Sequence, residues 1–307
     1  HNQTRVQLDA LLNPFDLHLP GKTLKGNLKA DQFTLKIDEK NNLSFDGQLS
    51  VNHGDVQVDK TSLKGDLKLE NLNASYDITN QTAKVKSRGE MTDIIIKTED
   101  NKTFKTNLGF DLNLNYPLKT PSDMQYDGSL SLNKSSLEGL AFGNINDINL
   151  KSQFKTNSAD ISLLSLSFLD TPIIASGHVE GFSKPILDIQ AQSERIDLSK
   201  ISLLAPELLK TYGLTVDGST SFKIKFQGPA LDPLSADINA QASLNNVNIS
   251  SSTLKQNLTR ISGELKASGH SLSWEDFSFD YMNRTFSVNG HLDDFKNPHV
   301  STNLLTQ

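Results

Sequence analysis

The chain has 307 residues, 36% of them hydrophobic, with 30 Lys+Arg against 36 Asp+Glu and a formal charge of −6. Such a length and apolar content allow a real core and one to three domains, while the charge offers no basic surface for nucleic acid. Cysteine is absent, which excludes zinc–thiolate centres, iron–sulfur clusters, disulfides and thiol chemistry.

Read in order, the sequence is a succession of period-two segments, the pattern of strands with one apolar and one wet face. Because the apolar residues fall in phase, disorder is not expected. Val6 and Leu8 open a short alternation, followed by a proline-bounded piece from 14 to 20. Residues 23–30 are answered by Phe33, Leu35 and Ile37. Leu43, Phe45, Leu49 and Val51 form another strand around Gly47, and Val56 and Val58 continue the alternation. Residues 61–69 (TSLKGDLKL) then echo 22–30 (KTLKGNLKA) at a shift of 39, so a strand-pair unit is reused and Gly26 and Gly65 are expected to be equivalent. Residues 83–98 read as one longer segment centred on Met91, Ile94, Ile95 and Ile96.

The longest alternation runs from 104 to 116 (FKTNLGFDLNLNY). Phe104, Leu108, Phe110, Leu112, Leu114 and Tyr116 share even positions, with Thr106 the polar exception. At ~3.4 Å per residue it spans about 40 Å, well beyond the usual strand. Residues 117–123 are a loop bracketed by Pro117 and Pro121, after which Met124, Tyr126, Gly128, Leu130 and Leu132 resume the pattern. A shorter Gly-marked element is expected over 137–143, then strands at Ile148, Leu150 and Phe154 and over 161–169, where the phase blurs. The one expected helix lies near 199–210, with Ile201, Leu204, Leu208 and Tyr212 on one face and Gly213 at the C-terminal cap. Pro206 offers an alternative start for a shorter helix. Strands return at Phe222, Ile224 and Phe226, then over 234–249, 261–267, 272–279 and 285–292.

A second repeat is more specific. Residues 176–185 (SGHVEGFSKP) recur as 289–298 (NGHLDDFKNP) with Gly, His, Phe and Pro at identical offsets, and 226–233 (FQGPALDP) is a looser copy. In each, a strand ends, a Pro-containing connection follows and another strand begins. Glycine tolerates the close turn and proline stops the ladder. Together with residues 196–199 (IDLS) and 200–206 (KISLLAP), these turns resemble the AsmA-like family of bacterial envelope proteins, which includes the TamB-type proteins. Its members are rich in G-x-[LV]-x-x-[FL]-x-x-P turns and in IDLS-like segments ahead of a short helix. The resemblance is best over 140–307 and similar in character, though weaker, over 20–132.

The resemblance implies an all-β fold: a long, curved, mostly antiparallel repeating sheet, a β-taco or open groove with an apolar interior. It also implies a periplasmic protein anchored to the inner membrane of a Gram-negative bacterium, carrying or guiding phospholipid between the inner and outer membranes and so supporting outer-membrane biogenesis. Two regions are expected, 1–132 and 133–307, continuous with each other. The sequence contains no basic-then-apolar signal segment and no run of 18 apolar residues, and its last residues stop partway through an alternation. It is therefore expected to be a piece of a longer protein.

Catalytic chemistry finds little footing. His178 and His291 share a motif position, and duplication once per repeat argues for turn or wet-face residues rather than a catalytic pair. His53 and His270 adjoin glycines and read as turn residues. No two histidines stand at i,i+2 or i,i+4, and no EF-hand loop, G-x-S-x-G or phosphate-cradling loop occurs. The N-x-[ST] triplets at Asn80, Asn101 and Asn283 are of the kind chance supplies in so Asn-, Ser- and Thr-rich a chain. The chain is read as non-enzymatic, without cofactor or metal.

The apolar face is the remaining candidate. Such a face ordinarily packs on another sheet, but strands this long with one helix to cover them favour an open groove. Each lipid CH₂ taken from water contributes roughly 0.8 kcal/mol, so a 16-carbon chain contributes on the order of 10 kcal/mol before ordering costs. An outer-membrane barrel would need aromatic girdles, and the chain has one Trp and five Tyr. A parallel β-helix would need short rungs. The expected groove lining is Phe104, Leu108, Phe110, Leu112, Leu114, Tyr116 and Leu130, with Phe222, Ile224 and Phe226. Expected partners are a phospholipid or other acyl lipid, the membrane through a part of the parent protein outside this sequence, and envelope proteins. The alternative is a structural scaffold or protein-interaction β-domain in outer-membrane assembly or maintenance.

Overall fold

Alternation this persistent folds as strands almost throughout. In the computed structural model, residues 4–40, 42–141, 143–203, 209, 211, 213–251, 256–294 and 298–306 are described. The fold is all-β, one antiparallel sheet of 17 strands, open rather than closed into a barrel. It divides into two units, His1–Leu140 with Asn144–Leu164, and Ala141–Gly143 with Ser165–Gln307.

In the first unit β1 (Thr4–Leu19), β2 (Lys22–Ile37), β3 (Leu43–Val58), β4 (Thr61–Asp77), β5 (Thr82–Lys97), β6 (Thr103–Pro117), β7 (Gln125–Glu138) and β8 (Ile145–Lys155) pair each with the next. β9 (Ser158–Phe168) runs from this unit into the second. There β10 (Thr171–Glu180), β11 (Ile186–Asp197), β12 (Leu214–Pro229), β13 (Asp237–Ser251), β14 (Leu258–Ser268), β15 (Ser271–Tyr281), β16 (Arg284–Asp293) and β17 (His299–Thr306) pair in the same consecutive way. Two-residue turns with φ above zero at both positions, Leu169-Asp170 and Met282-Asn283, match the strand twist and close the β9–β10 and β15–β16 connections.

Several strands are longer than the sequence suggests, for one reason. The apolar set of β5 occupies odd positions up to Met91 and even positions from Ile94 on; between them β5 spends two residues, Thr92 and Asp93, opposite the single Asn107 of β6. This is a β-bulge, which bends and twists a strand without ending it. Asp93 adopts φ 53°, and its N–H, lost to the ladder, donates to Asn107 Oδ1 at 2.9 Å. The same clasp recurs across the first unit: Gln32 N–H to Asp9 Oδ1 at 2.7 Å, His53 N–H to Asp66 Oδ1 at 2.7 Å, Lys134 N–H to Asn149 Oδ1 at 3.0 Å. In the second unit Arg260 donates to Asn248 Oδ1 at 3.1 Å, Asp276 to Asn289 Oδ1 at 2.7 Å, and Asn246 to Ser262 Oγ at 3.3 Å. Residues 23–30 and 33–37, which the sequence separates, are therefore one strand.

The 39-residue echo acquires a physical meaning here. Gly26 and Gly65 take φ of +155° and +152°, and a Cβ on either would stand 3.2 Å from Asn52 O or 3.0 Å from Thr92 O, the residue just ahead of the next strand's bulge. Only glycine suits both the angle and the approach.

Two expectations are revised. The piece bounded by Pro14 and Pro20 is not separate, because β1 runs through Pro14 at a register shift between Leu12 and Phe15, where a missing N–H costs no ladder bond. The element at 137–143 is the end of β7 followed by a connection. The helical stretch near 199–210 begins as a 3₁₀ turn, Leu198–Leu203; residues 204–208, 210 and 212, which carry Leu204, Leu208 and Tyr212, lie outside the described residues, as does the side chain of Ile201. Leu198 supplies the buried anchor instead, packed with Val247 and Ile261.

Candidate functional site

Ladder register turns the alternation into rows running across the strands. In the first unit one row reads Leu12, Leu28, Val51, Leu67, Met91, Leu108, Leu132, Leu150, each directly opposite the next. A second reads Leu17, Leu24, Val56, Leu63, Ile96, Phe104, Leu137, Ile145. The expected lining residues of β6 and β7 share this face: Phe110 lies between Gly89 and Leu130, Leu112 between Ser87 and Gly128, Leu114 between Val85 and Tyr126, and Tyr116 opposite Ala83. In the second unit Phe222 stands opposite Ser193 and Ala242, Ile224 opposite Ala191 and Ala240, and Phe226 opposite Ile189 and Ile238.

From β2 onward these side chains are half-buried rather than enclosed, while Leu12 and Leu17 of β1 are exposed. Among the described residues of the first unit, Ile94 is the apolar side chain that is fully buried, at 3% exposure; in the second unit Leu198, Val247 and Ile261 are. Sheet-on-sheet packing would bury whole rows. Glycines on the face receive neighbouring rings: a Cβ at Gly89 would meet Phe110 Cζ at 3.1 Å, and one at Gly128 would meet Phe154 Cζ at 2.9 Å. The rings thus cover bare backbone, as aromatic side chains do beside strand glycines.

Charge is confined to the other face and the turns. Lys25–Asp16 (2.9 Å), Lys64–Asp55 (3.0 Å) and Lys105–Glu138 (2.7 Å) pair across strands while largely exposed, so each contributes little. His178 Nε2 lies 3.2 Å from Glu180 Oε2 and His291 Nε2 3.4 Å from Asp293 Oδ2, the same i,i+2 pair in both copies of the repeat. Lys102, with help from the Thr98 hydroxyl, holds the Asp100 carboxyl down at about 2 in the β5–β6 turn. No three His, Asp or Glu side chains among the described residues gather as metal ligands would.

A depression of about 550 Å³ in the second unit is lined by the row Ala175, Ala191, Ile224, Ala240 and Ala267, flanked by the polar residues Gln190, Lys225 and Asn239 on one side and Gln192, Lys223 and Gln241 on the other. Phe222 and Phe226 do not line it. Of the expected lining residues of the second unit, Ile224 therefore belongs to this depression while its neighbours on β12 lie outside it.

No family model, curated protein or solved structure matches the chain. What the geometry offers chemically is a row-ordered apolar face with the charged side chains of the described residues held elsewhere or at its turns. Sequence reasoning missed most of its extent. Met91, Leu67, Val51 and Leu28 belong to the Leu108 row, and the signal was available as the phase change within each strand. It missed Ser87 and Ser193 too, two polar side chains on that face at 5% and 4% exposure.

Proposed function

We propose that this chain is a non-enzymatic segment of an AsmA-like or TamB-like envelope protein that binds or guides phospholipid acyl chains along its apolar face. On this reading it supports lipid transport between the inner and outer membranes, from the periplasm, within a protein anchored to the inner membrane. The observation that carries the proposal is the pair of eight-strand apolar rows through Leu108 and Phe104, in register yet half-buried to exposed. An acyl chain lying on such a surface would gain roughly 0.8 kcal/mol for each CH₂ withdrawn from water, with no need of a single anchoring charge. Native mass spectrometry of the purified protein tests it: a retained phospholipid mass is expected. Protein that carries no lipid as purified and takes none from phosphatidylethanolamine vesicles would sink the proposal.

One observation favours the scaffold reading. All eight residues of β17 are exposed, Val300, Leu304 and Leu305 among them at 63%, 55% and 68%. An uncharged strand without proline or bulge is open to pairing by another strand. A complex with a second protein in place of lipid would be the expected outcome of that reading.

A further inference from the structure

Two serines stand out on the apolar face among the described residues. Ser87 of β5 lies in register between Leu72 and Leu112, and Ser193 of β11 lies opposite Phe222. Both are more than nine-tenths buried, and neither hydroxyl oxygen has a hydrogen-bond partner. A buried donor without an acceptor is costly and rare in folded proteins. The buried hydroxyls of Thr106 and Ser135 behave differently, since they bond to each other. Size does not require serine at these places. Alanines fill neighbouring positions of the same face, Ala83 and Ala191 along the strands and Ala242 across from Phe222.

We infer that Ser87 and Ser193 donate hydrogen bonds to an acceptor oxygen carried by the apolar ligand, the carbonyl of an acyl ester, one such position in each unit. The inference rests on the acyl-chain reading and adds to it where the polar end of the chain is held. Each serine side chain is nearly closed to solvent, so an acceptor carried on an apolar chain reaches the hydroxyl by displacing the flanking side chains. Leu112 and Phe222, the half-buried ladder partners of the two serines, are the side chains placed to move. A plain alkane would fill the same face but leave both hydroxyls unpaired.

The experiment compares methyl hexadecanoate with hexadecane, each delivered from detergent micelles to the full chain and counted by native mass spectrometry. Wild type should retain the ester over the alkane by roughly two- to ten-fold, the factor of one neutral hydrogen bond. Ser87→Ala and Ser193→Ala should each reduce that preference, and the double variant should abolish it with alkane retention unchanged. Thermal midpoints should hold or rise, because removing an orphan donor removes its desolvation cost. If wild type binds both probes equally and the variants change nothing, the serine inference is overturned while the groove stands. A lowered midpoint with the ester preference intact would assign the hydroxyls to a buried water and also overturn it. Wild type that binds neither probe defeats the acyl-chain reading and this inference with it. The two serines lie in different units, so a variant that fails to fold at one leaves the other to decide.

Discussion

Phe110→Asp separates an open apolar face from a dry core. Phe110 sits in β6 between Gly89 and Leu130, half-buried, its ring edge over the bare backbone of Gly89. Full burial of a phenylalanine is worth ~1.5–3 kcal/mol, so a half-buried ring contributes about half of that. Losing the cross-strand pair removes ~0.2–1 kcal/mol more. On an open face the new carboxylate stays hydrated, and the total comes to about 2 kcal/mol. In a dry sandwich, truncation alone costs ~3–5 kcal/mol, and burying the charge adds several more. For a unit of this size 1 kcal/mol moves the midpoint by ~2–4 °C, so the open face predicts a drop of roughly 4–8 °C. The assay pairs thermal unfolding with phospholipid per protein by mass spectrometry. A folded variant with a modest shift and sharply reduced lipid is expected. A variant that does not fold, alongside wild type free of lipid, refutes the reasoning; so does a folded variant whose lipid content is unchanged.

Three further outcomes follow from the same geometry. Gly128→Ala should destabilise by ~1–3 kcal/mol through overpacking, since its Cβ would strike Asp111 O and the Phe154 ring; urea unfolding measures this, and a neutral result would show that the β6–β7 ladder gives way freely. Asn107→Ala removes the acceptor for the Asp93 N–H and should cost ~1 kcal/mol, with faster amide hydrogen exchange at Asp93 while that at Lys68 is unaffected. The Asp100 carboxyl, held by Lys102 at about 2 against an ordinary 3.8, is a depressed acid, so its contribution to stability is present above pH 3.8 and is lost as pH falls through about 2. Carboxyl NMR titration should show this midpoint and its return toward 3.8 in Lys102→Ala; a wild-type midpoint already near 3.8 would remove the Lys102 contact.

The clearest strand in the sequence was clear for a structural reason. β6 is opposed by bulges of both neighbours but has none of its own, facing two residues of β5 and two of β7 with one each time. Its even-position phase therefore holds from Phe104 to Tyr116, with Thr106 the polar exception. In β2, β3 and β5 the bulge shifts the apolar set by one position, and a shift of phase is easily taken for the end of a strand. The αL residues at those shifts, Gln32, His53 and Asp93, are not glycines; Gln32 and Asp93 gave no turn signal, and His53 beside Gly54, read as a turn, is a bulge within β3. What marks them lies on another strand: Asp9, Asp66 and Asn107, whose side chains accept the freed N–H groups. Such a mark becomes readable only once register is known. The paired prolines fared better. Pro185 and Pro298 each stand just before a strand, β11 and β17, at connections of the same sense in the meander. The serines were beyond reach of sequence, because a serine on an alternating face is ordinary until its burial and lack of a partner are seen.

The bulges also bear on why the face stays available. Across the first unit they align: Gly26 faces the bulge of β3, Gly54 pairs with Gly65, Gly65 faces the bulge of β5, Ile94 pairs with Thr106, and Thr106 bonds to Ser135, itself opposite Ile148. This is a line of mostly small, buried positions, and each bulge bends its strand there. A flat strand of 16 residues would gain nothing from such a device. A strand that must bend while keeping its apolar side chains on one face needs an odd residue at the bend, with its N–H satisfied locally. Without it every side chain beyond the bend would change faces, and Phe33, Leu35 and Ile37 in β2, or Ile94 and Ile96 in β5, would point to the charged side. The clasps therefore preserve one continuous apolar face through the bend, which a lipid-guiding surface requires and which a stack of short, separately packed strands would have no cause to maintain.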